Sequence, residues 1–174
     1  MNLDTIGTSA EIIGAGAVVI SLVYLAIQIR ETNAATREEA AREIQNLISQ
    51  FLAQVSSDTE ITKIWVNGML DLDELSNYEK YQYRSMLNQI NSLFERMYRL
   101  KKQNRLENWI WDSNIKVFHQ MIASPGFKSW FTDRSFVLND DWRDFLEREM
   151  ANATHQYVPL GVSFDQADES ADGT

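Results

Sequence analysis

The sequence predicts an all-α fold in which an N-terminal transmembrane helix continues into a helical bundle domain. Three observations predict it. The run from Ile12 to Ile29, IIGAGAVVISLVYLAIQI, carries no charged residue. Beyond it, apolar residues recur three and four apart in one segment after another, the period of a helix with one buried face. The 174 residues include only two prolines, and hardly a stretch alternates as a strand would.

A helix needs about 20 mostly apolar residues to cross the hydrocarbon layer. Ile6 to Ile29 meets that length with Glu11 as its one charge. Val18, Val19, Ile20, Leu22, Val23, Leu25, Ile27 and Ile29 fall all round the helix, so lipid or a large interior has to cover them. A chain of this size offers little such interior. A secretory signal would open on basic residues, and MNLDTIGTSAE has none. Arg30, Arg37 and Arg42 flank only the C-terminal side, which predicts that this side stays in the cytoplasm with the short N-terminus outside. No cysteine is present, which fits a reducing compartment and excludes disulfides and thiolate metal sites.

Within the span, Ala10, Gly14, Ala17 and Ser21 place small residues on one helix face, where a second helix can approach closely. Residues 1–30 are thus expected to form the anchor, 31–154 a helical cytoplasmic domain, and 155–174 a flexible acidic tail. Ala40, Ile44, Leu47, Ile48, Phe51 and Val55 keep helical spacing, so one helix is expected from about Ser9 to Val55, with a kink near Thr32 and Asn33 as the alternative. Ser56 to Thr59 offers N-caps for a helix through Leu70, and a turn follows over Asp71 to Leu75. Ser76 with Glu79 is a capping box opening a helix to about Gln103, with Tyr83, Leu87, Ile90, Phe94 and Met97 on its buried face. Asn104 stops it. Leu106 to Ala123 is the next helix, and Ser124 followed by Pro125 caps a short one from Gly126 to Thr132. Asn139 precedes a last helix through Met150, with Trp142, Phe145 and Leu146 on one side. After His155 the composition turns acidic and small, too poor in apolar surface to offset ordering entropy.

Two segments, YLAIQIRETNAATRE at Tyr24 to Glu38 and SPGFKSWF at Ser124 to Phe131, resemble a widespread group of uncharacterised bacterial membrane proteins. The resemblance implies one N-terminal span followed by a helical domain in the bacterial inner membrane, and it carries no catalytic residue to transfer.

No catalytic, cofactor-binding or metal motif is evident, so neither an enzyme nor a cofactor is expected. Gly14 and Gly16 lack the third glycine and the preceding strand of a dinucleotide fingerprint. The two histidines, His119 and His155, sit in no ligand motif; Asp112 shares a helix face with His119, but no Glu-x-x-His pair accompanies them. Glu95, Glu107 and Asp112 are the carboxylates left open for an inward orientation. Arg96, Arg99, Lys101, Lys102 and Arg105 form the one dense basic cluster in a chain of net charge −9. At a helix C-terminus such cations suit the dipole; the functional alternatives are anionic headgroups or an acidic partner such as Asp140, Asp141 and Asp144. The acidic balance speaks against nucleic acid. Trp109 and Trp111, two apart, cannot share one narrow buried stripe, so one is expected to face a partner or the lipid interface. The expected function is a self-associating assembly protein or an accessory subunit of a membrane complex, with a membrane-tethered sensor or ligand-binding module as the alternative.

Overall fold

The computed structural model describes residues 3–152, with side chains from residue 16 onward. The side chains of Ala10 and Gly14, and His155 with the tail expected over 155–174, lie outside what it describes. Six α-helices follow one another, α1 (Leu3–Ser56), α2 (Thr59–Leu70), α3 (Asn77–Lys102), α4 (Asn108–Ala123), α5 (Pro125–Arg134) and α6 (Asp140–Asn152). Short 3-10 turns at Leu72–Glu74 and Ser135–Val137 link α2 to α3 and α5 to α6. Among the described residues there is no strand, as the all-α expectation requires.

α1 is one uninterrupted helix of 54 residues, about 80 Å long at 1.5 Å per residue. The kink near Thr32 is absent. No glycine or proline interrupts the chain from Ala17 to Asn67, and Thr36 Oγ donates back to the Thr32 carbonyl at 2.8 Å without opening the ladder. No helix is long and apolar enough, among the described residues, to cross a membrane. The run expected to do so starts at Ile12, ahead of the first described side chain, and its described part from Gly16 to Ile29 is by itself shorter than a span.

Among the described side chains of α1, those of its C-terminal part join the bundle. Ala40, Ala41, Ile44 and Phe51 are buried, with Leu47, Ile48 and Val55 packed beside them. α3 runs antiparallel to this part, for Arg96 meets Glu43 at one end while Gln54 lies near Met86 at the other. α3 supplies the core with Tyr83, Leu87, Ile90, Phe94 and Met97, the face its periodicity predicts. Its capping box is complete: Ser76 N donates to Glu79 Oε2 at 2.7 Å and Glu79 N to Ser76 Oγ at 3.4 Å. Hydrogen bonding of the Glu79 carboxylate itself to the Ser76 hydroxyl, and then to the Ser76 backbone N–H, holds it below the usual glutamate range. At the far end Asn104 adopts φ 54°, with Arg105 N bonded to the Leu100 carbonyl and Asn104 N to that of Lys101. This reversal satisfies the last carbonyls of α3.

SPGFKSWF builds a junction. Ser124 is fully buried, its Oγ accepts from Phe127 N at 3.1 Å, and Pro125 opens α5 where no N–H is needed. Gly126 then lies against the Gly68 carbonyl of α2 and the Tyr83 hydroxyl, at a distance no Cβ fits. Phe127 and Trp130 are driven into the core beyond it.

Candidate functional site

From Gly16 to Asn33 the side chains of α1 stand free of the bundle. Val18, Val19, Ile20, Leu22, Val23, Tyr24, Leu25, Ile27 and Ile29 are 50–71% exposed, because no other described element reaches them. Of the expected association face, Ala17 and Ser21 are exposed, and Ser21 Oγ donates to the Ala17 carbonyl at 2.9 Å. Nothing stands within 4 Å of where a Cβ on Gly16 would be. α1 meets the bundle where Arg37 Nε donates to the Asn104 carbonyl at 2.9 Å.

The basic cluster is largely occupied inside the fold. Arg96 pairs with Glu43 at 2.6 Å and Lys102 with Asp141 at 2.6 Å, and the Lys102 ammonium lies 5.5 Å from the centroid of the Tyr98 ring. Lys101 donates to Asn108 Oδ1, and Arg99 lies 4.0 Å from Glu95. Arg105 is exposed and makes no ion pair among the described residues. The acidic neighbour considered for this cluster is thus the chain's own α6, through Asp141. Their mutual hydrogen bond pushes Lys102 up and Asp141 down from their ordinary values. A lowered carboxyl stabilises the fold above its ordinary value and loses that contribution as pH falls through the depressed one. A raised ammonium stabilises below its ordinary value and loses that contribution as pH rises through the raised one. Asp141→Asn is expected to flatten both the acid and the alkaline limbs of the melting profile, weakly and less so in high salt. Thermal melts across pH at two salt concentrations check this; an unchanged profile refutes it.

Trp109 and Trp111 separate as their spacing requires. Trp111 is half-buried with its ring centroid 6.2 Å from Tyr98 and 6.0 Å from Phe145, while Trp109 is 57% exposed. His119 Nε2 lies 2.7 Å from Glu149 Oε2 without hydrogen-bond geometry. Among the described residues no three histidine or acidic side chains gather as a metal cage would, and Glu95, Glu107 and Asp112 do not converge.

A feature the sequence reading passed over runs along α3. Asn77, Lys80, Arg84, Asn88, Asn91 and Glu95 recur three and four apart on the side facing α5 and the 3-10 turn after it. Two adjoining open clefts of about 520 and 550 Å³ meet at Asn88. The first is bordered by Lys80, Arg84 and Arg134, the second by Asn91, Glu95 and Leu138. Trp130 and Trp142 are both buried on this side, and their indole N–H groups donate to Asn88 Oδ1 at 3.0 Å and Asn91 Oδ1 at 3.1 Å. The polar spacing was the available signal, but a polar helical stripe is ordinarily a solvated face.

No protein-family model, no curated protein and no solved structure matches the chain.

Proposed function

We propose that the chain is a single-pass protein of the bacterial inner membrane. In this reading α1 crosses the bilayer with its N-terminus outside, and the cytoplasmic helical domain assembles with copies of itself or serves as a subunit of a membrane complex. The observation that carries the reading is the sleeve of apolar side chains from Val18 to Ile29, all at least half exposed on a helix that has left its domain. Continuous exposed apolar surface of this kind marks contact with lipid or protein. The uncharged run from Ile12 to Ile29 lies within α1 and is about 27 Å long at 1.5 Å per residue, close to the hydrocarbon thickness. Trp109 supports the same placement. It follows the Asn104 turn that Arg37 holds, so its exposed ring lies at the end of the domain nearest the apolar run, where an interfacial aromatic belongs.

Assembly is supported by the small residues Ala17 and Ser21 on this helix, because close backbone approach is what drives helices together in lipid. The test is the mass of the full chain in mild detergent, by light scattering with the detergent contribution subtracted. A defined multimer is expected, falling to monomer in the double variant Gly14→Leu with Ala17→Leu, since leucines hold the backbones apart. A monomeric wild-type particle with no co-purifying partner overturns assembly.

A further inference from the structure

We infer that the cleft between the N-terminal half of α3 and the C-terminal end of α5 binds a small phosphomonoester from solution. In a chain of net charge −9, Lys80, Arg84 and Arg134 converge on this one cleft. Asp73 engages Lys80 at 3.2 Å and Asp133 engages Arg84 at 2.6 Å, so one cation remains in excess. Arg134 makes no ion pair among the described residues, and its place in the last turn of α5 suits the helix dipole without using up its donors.

Two further groups carry donors that no described protein acceptor takes, Arg84 with a buried one and Asn88 with an exposed one. Arg84 Nη2 holds Asp133 while its Nε is buried with no hydrogen-bond partner, an uncommon state for a charged donor. The second is Asn88. The Trp130 indole, 1% exposed, can only donate, so the atom it bonds is Asn88 Oδ1. The Asn88 Nδ2 donors are left free at the meeting point of the two clefts. An oxyanion is the chemistry that satisfies guanidinium, ammonium and amide donors together. The volume of about 520 Å³ is in the range of small-ligand sites. The Tyr81 ring, 71% exposed at the rim, suits a planar organic group carried on the phosphate.

A bilayer headgroup is the other source of such an oxyanion, and geometry disfavours it. Tyr81 lies level with Gln54 of α1, 17 residues beyond Arg37, which puts the cleft about 25 Å from the end of the domain where α1 leaves.

The test is a titration of the full chain in detergent with phenyl phosphate at constant ionic strength, followed by the indole N–H signal of Trp130 in the NMR spectrum. Trp130→Phe assigns that signal. A saturable shift is expected at Trp130 and none at Trp109. Arg134→Ala and Lys80→Ala each weaken binding about tenfold, the worth of one hydrogen bond to a charged group, while Arg134→Lys retains most of it. Arg134 is exposed, so an unchanged melting temperature separates lost binding from lost folding. Absence of a saturable shift, or an affinity left unchanged by Arg134→Ala, overturns the proposal. Inorganic phosphate binding as tightly as phenyl phosphate overturns the phosphomonoester class, and a response to phosphatidate vesicles alone overturns the solution source.

Discussion

Gly126→Ala is expected to destabilise the helical domain by about 3 kcal/mol or more, the upper range for forcing atoms into a packed interior. At this chain length that lowers the melting temperature by about 6–12 °C. The cause is specific. A Cβ at Gly126 would overlap the Gly68 carbonyl, a backbone atom in α2 that has no rotamer to escape into, and would crowd the Tyr83 hydroxyl as well. Relief requires α5 to move off α2, and Ser124, Phe127 and Trp130, all buried, move with it. Gly68→Ala is also costly, but its added Cβ meets the ring of Tyr83, a side chain. Trimming that ring with Tyr83→Leu should therefore recover part of the loss in Gly68→Ala and little of it in Gly126→Ala. Gly16→Ala is the control: nothing stands within 4 Å of its Cβ, so domain stability should not fall. Thermal unfolding followed by circular dichroism decides the matter. A Gly126→Ala protein that melts with the wild type would show that α2 and α5 do not cross as closely as described.

Val19→Asp combined with Val23→Asp is expected to release the chain from membranes while leaving the domain folded. An aspartate at the centre of a spanning helix costs about 2.5–3.5 kcal/mol on insertion scales, so the pair costs roughly 5–7 kcal/mol. Neither valine contributes to the bundle, since both are 59% and 54% exposed on the free part of α1. The wild-type chain should stay in the pellet after alkaline carbonate extraction, and the double variant should move to the supernatant with an unchanged melting temperature. A wild-type chain found in the supernatant sinks the anchoring proposal outright. Gly126→Ala supplies the crossed control, because it should lower the melting temperature of the domain without releasing the chain. Together the two variants separate stability that resides in the bundle from attachment that resides in α1.

Much of the local structure was legible because it is decided within one or two turns of chain. Ser76 and Glu79 announced the start of α3, Asn104 its end, and Ser124 with Pro125 the start of α5, each through a hydrogen bond between near neighbours. Helix ends strayed by a few residues: α4 starts at Asn108 rather than Leu106, and α5 continues to Arg134 beyond Thr132. The basic cluster was harder. Arg96 finds Glu43 across 53 residues and Lys102 finds Asp141 across 39, distances over which charge spacing on one helix says nothing. The tryptophan pair shows the same boundary. A spacing of two established that Trp109 and Trp111 part company, but only the position of α6, with Phe145 against Trp111, determined which one is covered. The cleft along α3 was illegible for a related reason. Asn77, Lys80, Arg84 and Asn88 look like a solvated face until α5 returns beside them and Trp130 needs an acceptor.

That the chain is helical, where most helices start and stop, which face of α3 is buried, and that an uncharged run precedes the bundle are all readable from the residues. These follow from periodicity, capping and composition, which are short-range properties of the chain. Only the tertiary structure shows that the apolar sleeve of α1 stands clear of the bundle, that Arg96 and Lys102 of α3 are paired with α1 and α6, and that Gly68 and Gly126 meet backbone to backbone. Those outcomes depend on which elements come to lie side by side. That is set by the sum of many weak packing contacts between residues remote in sequence, and no single segment carries it.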